Sequence, residues 1–130
     1  MNHIDARYLG HFKDRRVLVV EDEYFLADET RRTLENLGAL VVGPVTHVED
    51  ALRLLASGEI DAAILDVHLD GEFVFPVAEK LEQNGIPYIF ATSYDPSIVP
   101  ERFTGFVLST RPIDLDKIAN ALFGSPKADH

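Results

Sequence analysis

Hydrophobic residues along the chain fall into two alternating patterns. Short unbroken apolar runs are typical of strands that are covered on both faces in a parallel sheet. Between these runs, apolar residues recur every three or four positions, which predicts helices with one buried face. Glycine, proline or asparagine marks most of the points where one pattern gives way to the other. The apolar runs predict strands at 16–20, 39–42, 62–65, 86–91 and 105–109.

The helical stripes lie between these strands and after the last one. The first helix is predicted over 24–37, where Gly38 stops it. Thr46 and Glu49 have the spacing of a capping box for the second helix. Pro100 allows only a short helix before the fifth strand. The stripes of the second, third and last helices are Val48, Ala51, Leu52 and Leu55; Val74, Val77, Ala78 and Leu81; and Leu115, Ile118, Ala119 and Leu122.

Strands that alternate with helices predict an α/β domain with a parallel sheet and helices on both faces. At 130 residues, of which 46% are hydrophobic, the chain has room for one such domain with a real core. We expect 1–14 to be an N-terminal extension, 15–124 the domain and 125–130 a C-terminal tail. Within the domain, Gly43-Pro44 is expected to end the second strand, and Asp70-Gly71 to turn the chain after the third.

Composition excludes several kinds of protein. The net charge of −10 argues against a nucleic-acid surface, because binding phosphate backbones requires clustered Lys and Arg. The chain has no cysteine, so it has neither disulfides nor a thiolate metal site, which fits a reducing compartment. No apolar run approaches the roughly 18 residues of a membrane span, and the first residues lack the pattern of a signal peptide. We therefore expect a cytoplasmic protein that binds neither membranes nor nucleic acids.

Polar residues follow the carboxyl ends of four predicted strands. These positions hold Glu21-Asp22, Asp66, Thr92-Ser93 and Arg111. In a parallel sheet the carboxyl ends share one edge, where open α/β sheets have their ligand crevice. Three carboxylates gathered there repel one another unless a cation joins them, and oxygen ligands favour Mg²⁺. A carboxylate can attack phosphorus, and a hydroxyl with a fixed cation suits a phosphoryl group, so the set predicts Mg²⁺-assisted aspartyl phosphorylation.

Each of these residues also has a local explanation. Asp66 could merely end its strand, and Asp22 could cap the first helix. Thr92 could cap a loop, and Arg111 could be a solvated surface cation. We favour a shared site, because four independent caps seldom converge on one edge of a sheet. The five histidines are scattered along the chain and match no zinc spacing.

The same residues, in this order, resemble the receiver domain of a two-component response regulator. The resemblance covers 15–124 and rests on four motifs: Val19-Val20-Glu21-Asp22-Glu23, Leu65-Asp66, Ala91-Thr92-Ser93, and a basic residue before proline in Arg111-Pro112. It implies a flavodoxin-like receiver fold with the strand order 2-1-3-4-5. The stretch 90–94, Phe-Ala-Thr-Ser-Tyr, further resembles the receivers nicknamed FAT GUY, many of which are free-standing domains in general stress signalling.

The resemblance implies a role for each acidic residue of the set. Asp66 would be the phosphoacceptor. Asp22 and Asp66 would ligate Mg²⁺ directly, and Glu21 would assist through water. His68, two residues after the acceptor, would contribute its backbone carbonyl to the ion, so its imidazole need not be a ligand.

The remaining site residues include departures from the family pattern. Thr92 and Arg111 would bind phosphoryl oxygens, and Arg111-Pro112 would be a cis peptide. Arg111 stands where the family normally has Lys, and its fork is longer, planar and bidentate. Ser93 replaces the Gly of the FAT GUY pattern, and Leu108 stands where many receivers have a switching aromatic residue. The loop after the phosphoacceptor lacks the usual proline.

Three classes of function follow from these residues. In the favoured class, the chain is a single-domain response regulator that takes a phosphoryl group from a phosphohistidine on a sensor histidine kinase or a histidine phosphotransfer protein. It would signal rather than act as an enzyme, with at most self-phosphorylation and autodephosphorylation. The alternative, motivated by Arg111, is a receiver-fold binding module that does not depend on phosphorylation. A hydrolase with an aspartyl-phosphate intermediate is disfavoured, because haloacid-dehalogenase-like phosphatases have a second Asp at the position of His68.

The output of such a receiver is also expected from the sequence. No DNA-binding module follows residue 124, so the phosphoryl signal would pass on through protein contacts. Otherwise the chain would act as a phosphate sink within a phosphorelay. Both expectations apply to the favoured class alone.

Overall fold

The computed structural model describes residues 12–91, 96–103, 106–108, 118 and 121–123. Its strands are β1 (Arg16–Val20), β2 (Leu40–Val45), β3 (Ala62–Leu65), β4 (His68–Leu69), β5 (Glu72–Phe73), β6 (Tyr88–Ala91) and β7 (Phe106–Leu108). Its helices are α1 (Tyr24–Asn36), α2 (Val48–Ser57) and α3 (Phe75–Gln83), followed by a 3-10 turn at Pro96–Ile98. Residues 118 and 121–123 are also helical.

Five of the strands form one parallel sheet in the order β2-β1-β3-β6-β7. They correspond to the five predicted strands, so the α/β class and the strand order 2-1-3-4-5 are confirmed. Strand β3 is central, and all four of its residues are buried. Val20 lies opposite Leu65, and Leu65 lies opposite Phe90, so β1, β3 and β6 reach the same edge of the sheet together.

The core lies in two layers, one on each face of the sheet. Successive residues of a strand point to opposite faces, so each strand contributes to both layers. One layer joins the sheet to α2 and α3, and its members include Leu18, Val20, Ala51, Leu55, Leu65, Val77 and Leu81. The other joins the sheet to α1 and the C-terminal helical residues, and its members include Val17, Val19, Leu34, Ile64, Ile118 and Leu122. The predicted covering of both faces by helices is confirmed.

Phe12 belongs to the core although it lies in the segment expected to be an extension. Its side chain is fully buried, and its ring centroid lies 5.0 Å from that of Phe123 in an edge-to-face contact. The backbone N–H of Asp14 donates to the Gly38 carbonyl at 2.8 Å. These contacts hold the chain against the core before β1 begins. They were not predicted, because the residues before β1 show no hydrophobic period.

The prediction that Gly43-Pro44 ends the second strand is wrong. Strand β2 continues through both residues to Val45, with an irregularity in its register against β1. Gly43 has a φ of +96°, which a residue without a Cβ adopts readily. A Cβ there would lie 2.9 Å from the Val19 carbonyl oxygen. Because β2 is an edge strand of the described sheet, the missing N–H of Pro44 is tolerated.

The capping box predicted from Thr46 and Glu49 does not form. Helix α2 begins at Val48, and His47 before it makes no side-chain cap bond among the described residues. Thr46 Oγ1 instead bonds His47 Nδ1 at 2.8 Å, and Glu49 pairs with an arginine on its own helix. The cap comes from a distant residue, because Glu72 Oε2 accepts from the Val48 N–H at 3.0 Å.

Some predicted features lie outside the described residues. These are the ends of the fifth strand at residues 105 and 109, the Arg111-Pro112 peptide, and residues 114–117 of the last helix. Ile118 and Leu122, which the stripe predicts to be buried, are buried. Among the described helices, none has the length and apolar character needed to cross a membrane.

Candidate metal centre

Three carboxylates gather at the carboxyl edge of the sheet. Strands β1 and β3 lie side by side, with Val20 opposite Leu65. The next residues, Glu21 and Asp66, therefore leave the sheet beside each other, and the Asp66 N–H donates to the Val20 carbonyl at 2.8 Å. Carboxylate oxygens of Glu21, Asp22 and Asp66 all lie within 4.8 Å of one another. The structure thus brings together the three carboxylates that the sequence pattern indicated.

The burial and chemistry of this cluster fit a divalent cation. Glu21 is 8% exposed and Asp66 is 7% exposed, while Asp22 is the most open of the three. Like charges buried together are costly unless a cation or hydrogen bonds compensate them. All the donors are oxygens, and a cluster of few protein ligands suits a hard ion that keeps several waters, such as Mg²⁺. The residues therefore fit the magnesium ion expected from the sequence.

Hydrogen bonds fix the position of Glu21. Its backbone N–H donates to the Val45 carbonyl on β2 at 3.0 Å. Its side-chain Oε2 accepts from the Glu23 N–H at 3.1 Å. One oxygen of this carboxylate is thus engaged within the chain, which is compatible with a role for Glu21 that acts through water.

The local explanation for Asp22, that it caps the first helix, does not hold. The cap of α1 is Glu23, whose Oε1 accepts from the Leu26 N–H at 2.9 Å. Sequence reasoning missed this role, because three successive acidic residues precede the helix and nothing local distinguishes the one that caps it. With the cap made by Glu23, Asp22 is a member of the carboxylate cluster.

The chain after Asp66 forms a small hairpin rather than a plain loop. Strands β4 and β5 pair antiparallel, with His68 opposite Phe73 and Leu69 opposite Glu72. The predicted turn at Asp70-Gly71 is confirmed, and Gly71 has a φ of +81°. The His68 ring packs edge-on against the Phe73 ring, with centroids 5.1 Å apart. The hairpin as such was not predicted, because only the turn has a sequence signal.

Two large aromatic side chains are exposed close to the cluster in sequence. Tyr24 is 72% exposed and Phe25 is 75% exposed, and both belong to the first turn of α1, directly after Glu23. Their ring centroids lie 5.4 Å apart in an edge-to-face contact. Two adjacent exposed rings form a small apolar patch, a feature that can take part in contacts with another protein.

Two candidate site residues lie outside the described part of the chain. Strand β6 ends at Ala91, just before Thr92, and Ala91 pairs with Leu108 on β7. Thr92 follows that strand in the sequence, and Arg111 follows β7 by three residues. Their roles, and that of the His68 carbonyl, remain predictions.

Known proteins match this chain over most of its length. Residues 17–105 match the family described as response regulator receiver domain. The solution structure of SdrG from Sphingomonas melonis Fr1 is 42% identical in sequence and superposes with a TM-score of 0.73, covering 84% of this chain and 93% of SdrG. A BeF3-activated conformation of SdrG, attributed to Pseudomonas melonis Fr1, superposes with a TM-score of 0.67.

Other matches are to parts of longer proteins. The response regulator PhyR from Brucella abortus is 26% identical, with a TM-score of 0.74, and the match covers 91% of this chain and 51% of PhyR. The sensory transduction protein LytT from Bacillus anthracis is 36% identical over 83 residues, which are 62% of this chain and 34% of LytT. The chain spans about a third to a half of the length of the curated relatives that it matches.

Proposed function

The chain belongs to the response regulator receiver domain family, and we propose that it signals by accepting a phosphoryl group from a phosphohistidine onto Asp66. The donor would be a sensor histidine kinase or a histidine phosphotransfer protein, and the cytoplasm, where such donors present their phosphohistidine, is the compartment. The observation that carries the proposal is the convergence of Glu21, Asp22 and Asp66 within 4.8 Å at one edge of the sheet.

The proposed step is a transfer between two nucleophiles. An oxygen of the ionised Asp66 carboxylate attacks the phosphorus of the phosphohistidine. The new P–O bond forms as the P–N bond breaks, and the electron pair of that bond stays on the imidazole nitrogen, which then takes up a proton. The hydrogen bond from the Asp66 N–H to the Val20 carbonyl fixes the backbone of Asp66, so the attack needs little reorganisation of the chain.

The metal belongs to the same proposal. Asp22 and Asp66 would hold Mg²⁺ directly, Glu21 would act through water, and His68 would offer its backbone carbonyl. Bound Mg²⁺ neutralises the charge of the carboxylates and of the phosphoryl oxygens. The engagement of one Glu21 oxygen with the Glu23 N–H supports the indirect role of Glu21.

Thr92 and Arg111 complete the proposed site. The Thr92 hydroxyl would bond one phosphoryl oxygen, and the Arg111 guanidinium would bind the group from another side. Charge-assisted bonds to an arginine fork are strong and directional. The second candidate function, a binding module independent of phosphorylation, rests on Arg111 in place of the usual Lys. In that case Arg111 would pair with Asp66 permanently and block the acceptor.

Intact-mass measurement after incubation with acetyl phosphate and Mg²⁺ tests the proposal. We expect one phosphoryl group on the wild type and none on Asp66→Asn. Asp70→Asn is the matched control, because it removes an exposed carboxylate four residues away and should be modified like the wild type. Modification that survives Asp66→Asn would reject the acceptor. A wild type that resists phosphorylation while Arg111→Lys accepts it would favour the binding module.

A further inference from the structure

The hairpin that follows Asp66 is small and depends on contacts with the rest of the domain. Each of its strands, β4 and β5, has two residues, and a hairpin of that size is marginal on its own. At its base, the Val74 N–H donates to the Val67 carbonyl at 2.9 Å. Leu69 is fully buried in the core layer that includes α2 and α3. These two contacts hold the base and one side chain, but neither fixes the outer strand laterally.

Phe73 on the outer strand stacks on Phe75 of α3, with ring centroids 5.4 Å apart. Glu72 makes a hydrogen bond that joins the same strand to α2. Its Oε2 accepts from the backbone N–H of Val48, the first residue of α2, at 3.0 Å. The two residues are 24 positions apart in sequence, so the bond is tertiary and not local. A helix leaves its first N–H groups without intrahelical partners, and a carboxylate at this end is also favoured by the helix dipole. His47 makes no side-chain cap bond there, so Glu72 serves as the cap among the described residues.

In the hairpin, the residue pair that contains Glu72 is next to the pair that contains His68, the proposed metal ligand. Glu72 lies opposite Leu69 in the hairpin, and the neighbouring pair is His68 with Phe73. The His68 carbonyl is the ligand that the proposed function assigns to the hairpin. Groups that orient a metal ligand affect metal affinity strongly. A ligand on a short, marginal element also needs a support that holds the element itself in place. The bond from Glu72 to α2 is placed to provide that support.

We propose that Glu72 is a positioning residue for the metal centre. By capping α2 it fixes the β4–β5 hairpin against the domain, and so holds the His68 carbonyl at the distance from Asp22 and Asp66 that an ion requires. Glu72 itself is not a ligand. This inference rests on the proposed function, because it assumes that the carboxylate cluster binds Mg²⁺.

Two conservative variants separate geometry from charge. Glu72→Gln loses the charge but keeps an oxygen that can accept from the Val48 N–H, so it should retain the Mg²⁺ affinity of the wild type. Glu72→Asp keeps the charge but is one methylene shorter, so it should bind Mg²⁺ more weakly. Glu72→Ala, which loses both, should bind about tenfold more weakly, at the low end of the range for outer-shell partners. If Glu72 acted only by its charge, Gln would weaken binding and Asp would not.

The measurement is a Mg²⁺ titration followed by amide chemical shifts, since the chain has no tryptophan to report binding by fluorescence. Hydrogen exchange of the Val48 amide, measured without metal, reports the cap directly and should be faster in Glu72→Ala than in Glu72→Gln. Asp70→Asn controls for loss of a carboxylate from the same hairpin and should bind Mg²⁺ like the wild type.

The outcomes distinguish this inference from the proposed function. If Asp22→Asn leaves the titration unchanged, the metal centre itself is wrong. If Asp22→Asn weakens binding but Glu72→Asp and Glu72→Ala do not, only the role of Glu72 is overturned. A role in stability alone would lower the unfolding midpoint of Glu72→Ala and leave the Mg²⁺ affinity of its folded form unchanged, which would also overturn the inference.

Discussion

At the scale of single residues, adjacent acidic side chains have different tasks because the backbone points them to different partners. Glu21 bonds the Glu23 N–H, and Glu23 caps α1. Asp22 lies between them and is the most open member of the cluster with Asp66. Three adjacent acidic residues thus serve as an acceptor for a backbone N–H, a candidate metal ligand and a helix cap.

We predict that Asp22→Asn has opposite effects with and without Mg²⁺. Without the ion, it removes repulsion inside the cluster and should raise the free energy of unfolding by on the order of 1 kcal/mol, the interaction of two unit charges about 4 Å apart in water-like surroundings. With saturating Mg²⁺, the wild type should gain stability and the variant little, because binding to the folded state alone stabilises it. Urea unfolding at both conditions measures this. Equal Mg²⁺-induced gains in the two proteins would contradict it.

The carboxylates of the site could be predicted from the sequence, whereas Glu72 could not. Glu21 and Asp66 each follow an apolar run directly and Asp22 comes one residue later, and parallel strands bring such positions to one edge by geometry alone. Glu72 acts on Val48, 24 residues earlier, and only the folded hairpin brings the two together. A cap made by a distant residue leaves no spacing to recognise.

At the scale of elements, α1 is the helix that begins at the site, and side chains stabilise its start and its next two turns. Glu23 caps its start, and Asp28 is bonded by Arg31 and Arg32 one turn later. The hydrogen bond from Arg31 lowers the pKa of Asp28 below its ordinary value. This bracing is therefore complete above the ordinary pKa of an aspartate, and it is lost only as the pH falls through the lowered value. Because the pairs are solvent-accessible, their contribution is small.

We predict that Glu23→Ala destabilises the domain by about 0.5–1 kcal/mol, as expected for the loss of an exposed helix cap. The Leu26 N–H would lose its acceptor, and the first turn of α1 would fray next to Asp22. Glu29→Ala is the matched control, since it removes an exposed glutamate from the same helix without touching the cap. Thermal unfolding of the two variants measures the difference. Equal unfolding temperatures of the two variants would show that the Glu23 cap does not stabilise the domain.

Element types were more predictable than their ends. The apolar runs and stripes gave every strand of the parallel sheet and the faces of α2 and α3, because burial imposes those periods directly. The end of β2 was missed, since Gly43-Pro44 normally breaks a strand, and a sequence does not reveal that this strand lies at an edge. The start of α2 was assigned to the wrong residues for a similar reason: Thr46 and Glu49 have the right spacing but bond elsewhere.

At the scale of the whole molecule, the acidic cluster and the exposed aromatic pair are neighbours in sequence, where the chain passes from β1 into α1. Glu21 and Asp22 belong to the cluster, while Tyr24 and Phe25 begin the helix that follows. Under the proposed function, a phosphodonor protein would bring its histidine to Asp66 and would therefore cover this region. Large apolar side chains there would contribute most of the contact energy, as aromatic anchors do in other interfaces.

We predict that Phe25→Ser slows phosphotransfer from a phosphorylated protein donor at least about tenfold, which corresponds to the loss of roughly 1.4 kcal/mol of contact. Phosphorylation by acetyl phosphate should be unchanged, because a small donor needs no docking surface. Leu40→Ser is the matched control. Leu40 is also an exposed apolar residue, but it lies at the amino end of β2, away from the carboxyl ends of the strands where the cluster lies. Equal loss with both donors, or equal loss in both variants, would argue against a docking role for Phe25.

The glycine and proline in β2 also affect the association of separate copies of the protein at high concentration. An edge strand such as β2 offers a row of unpaired backbone groups with which a strand from another molecule can pair. Pro44 has no N–H to offer, and the register irregularity near Gly43 breaks the regular spacing of that row. Substitution of Gly43 is opposed by backbone atoms 2.9 Å from where a Cβ would lie, so this interruption is difficult to remove by mutation. The feature that made the strand hard to recognise is thus also one that discourages aggregation through its edge.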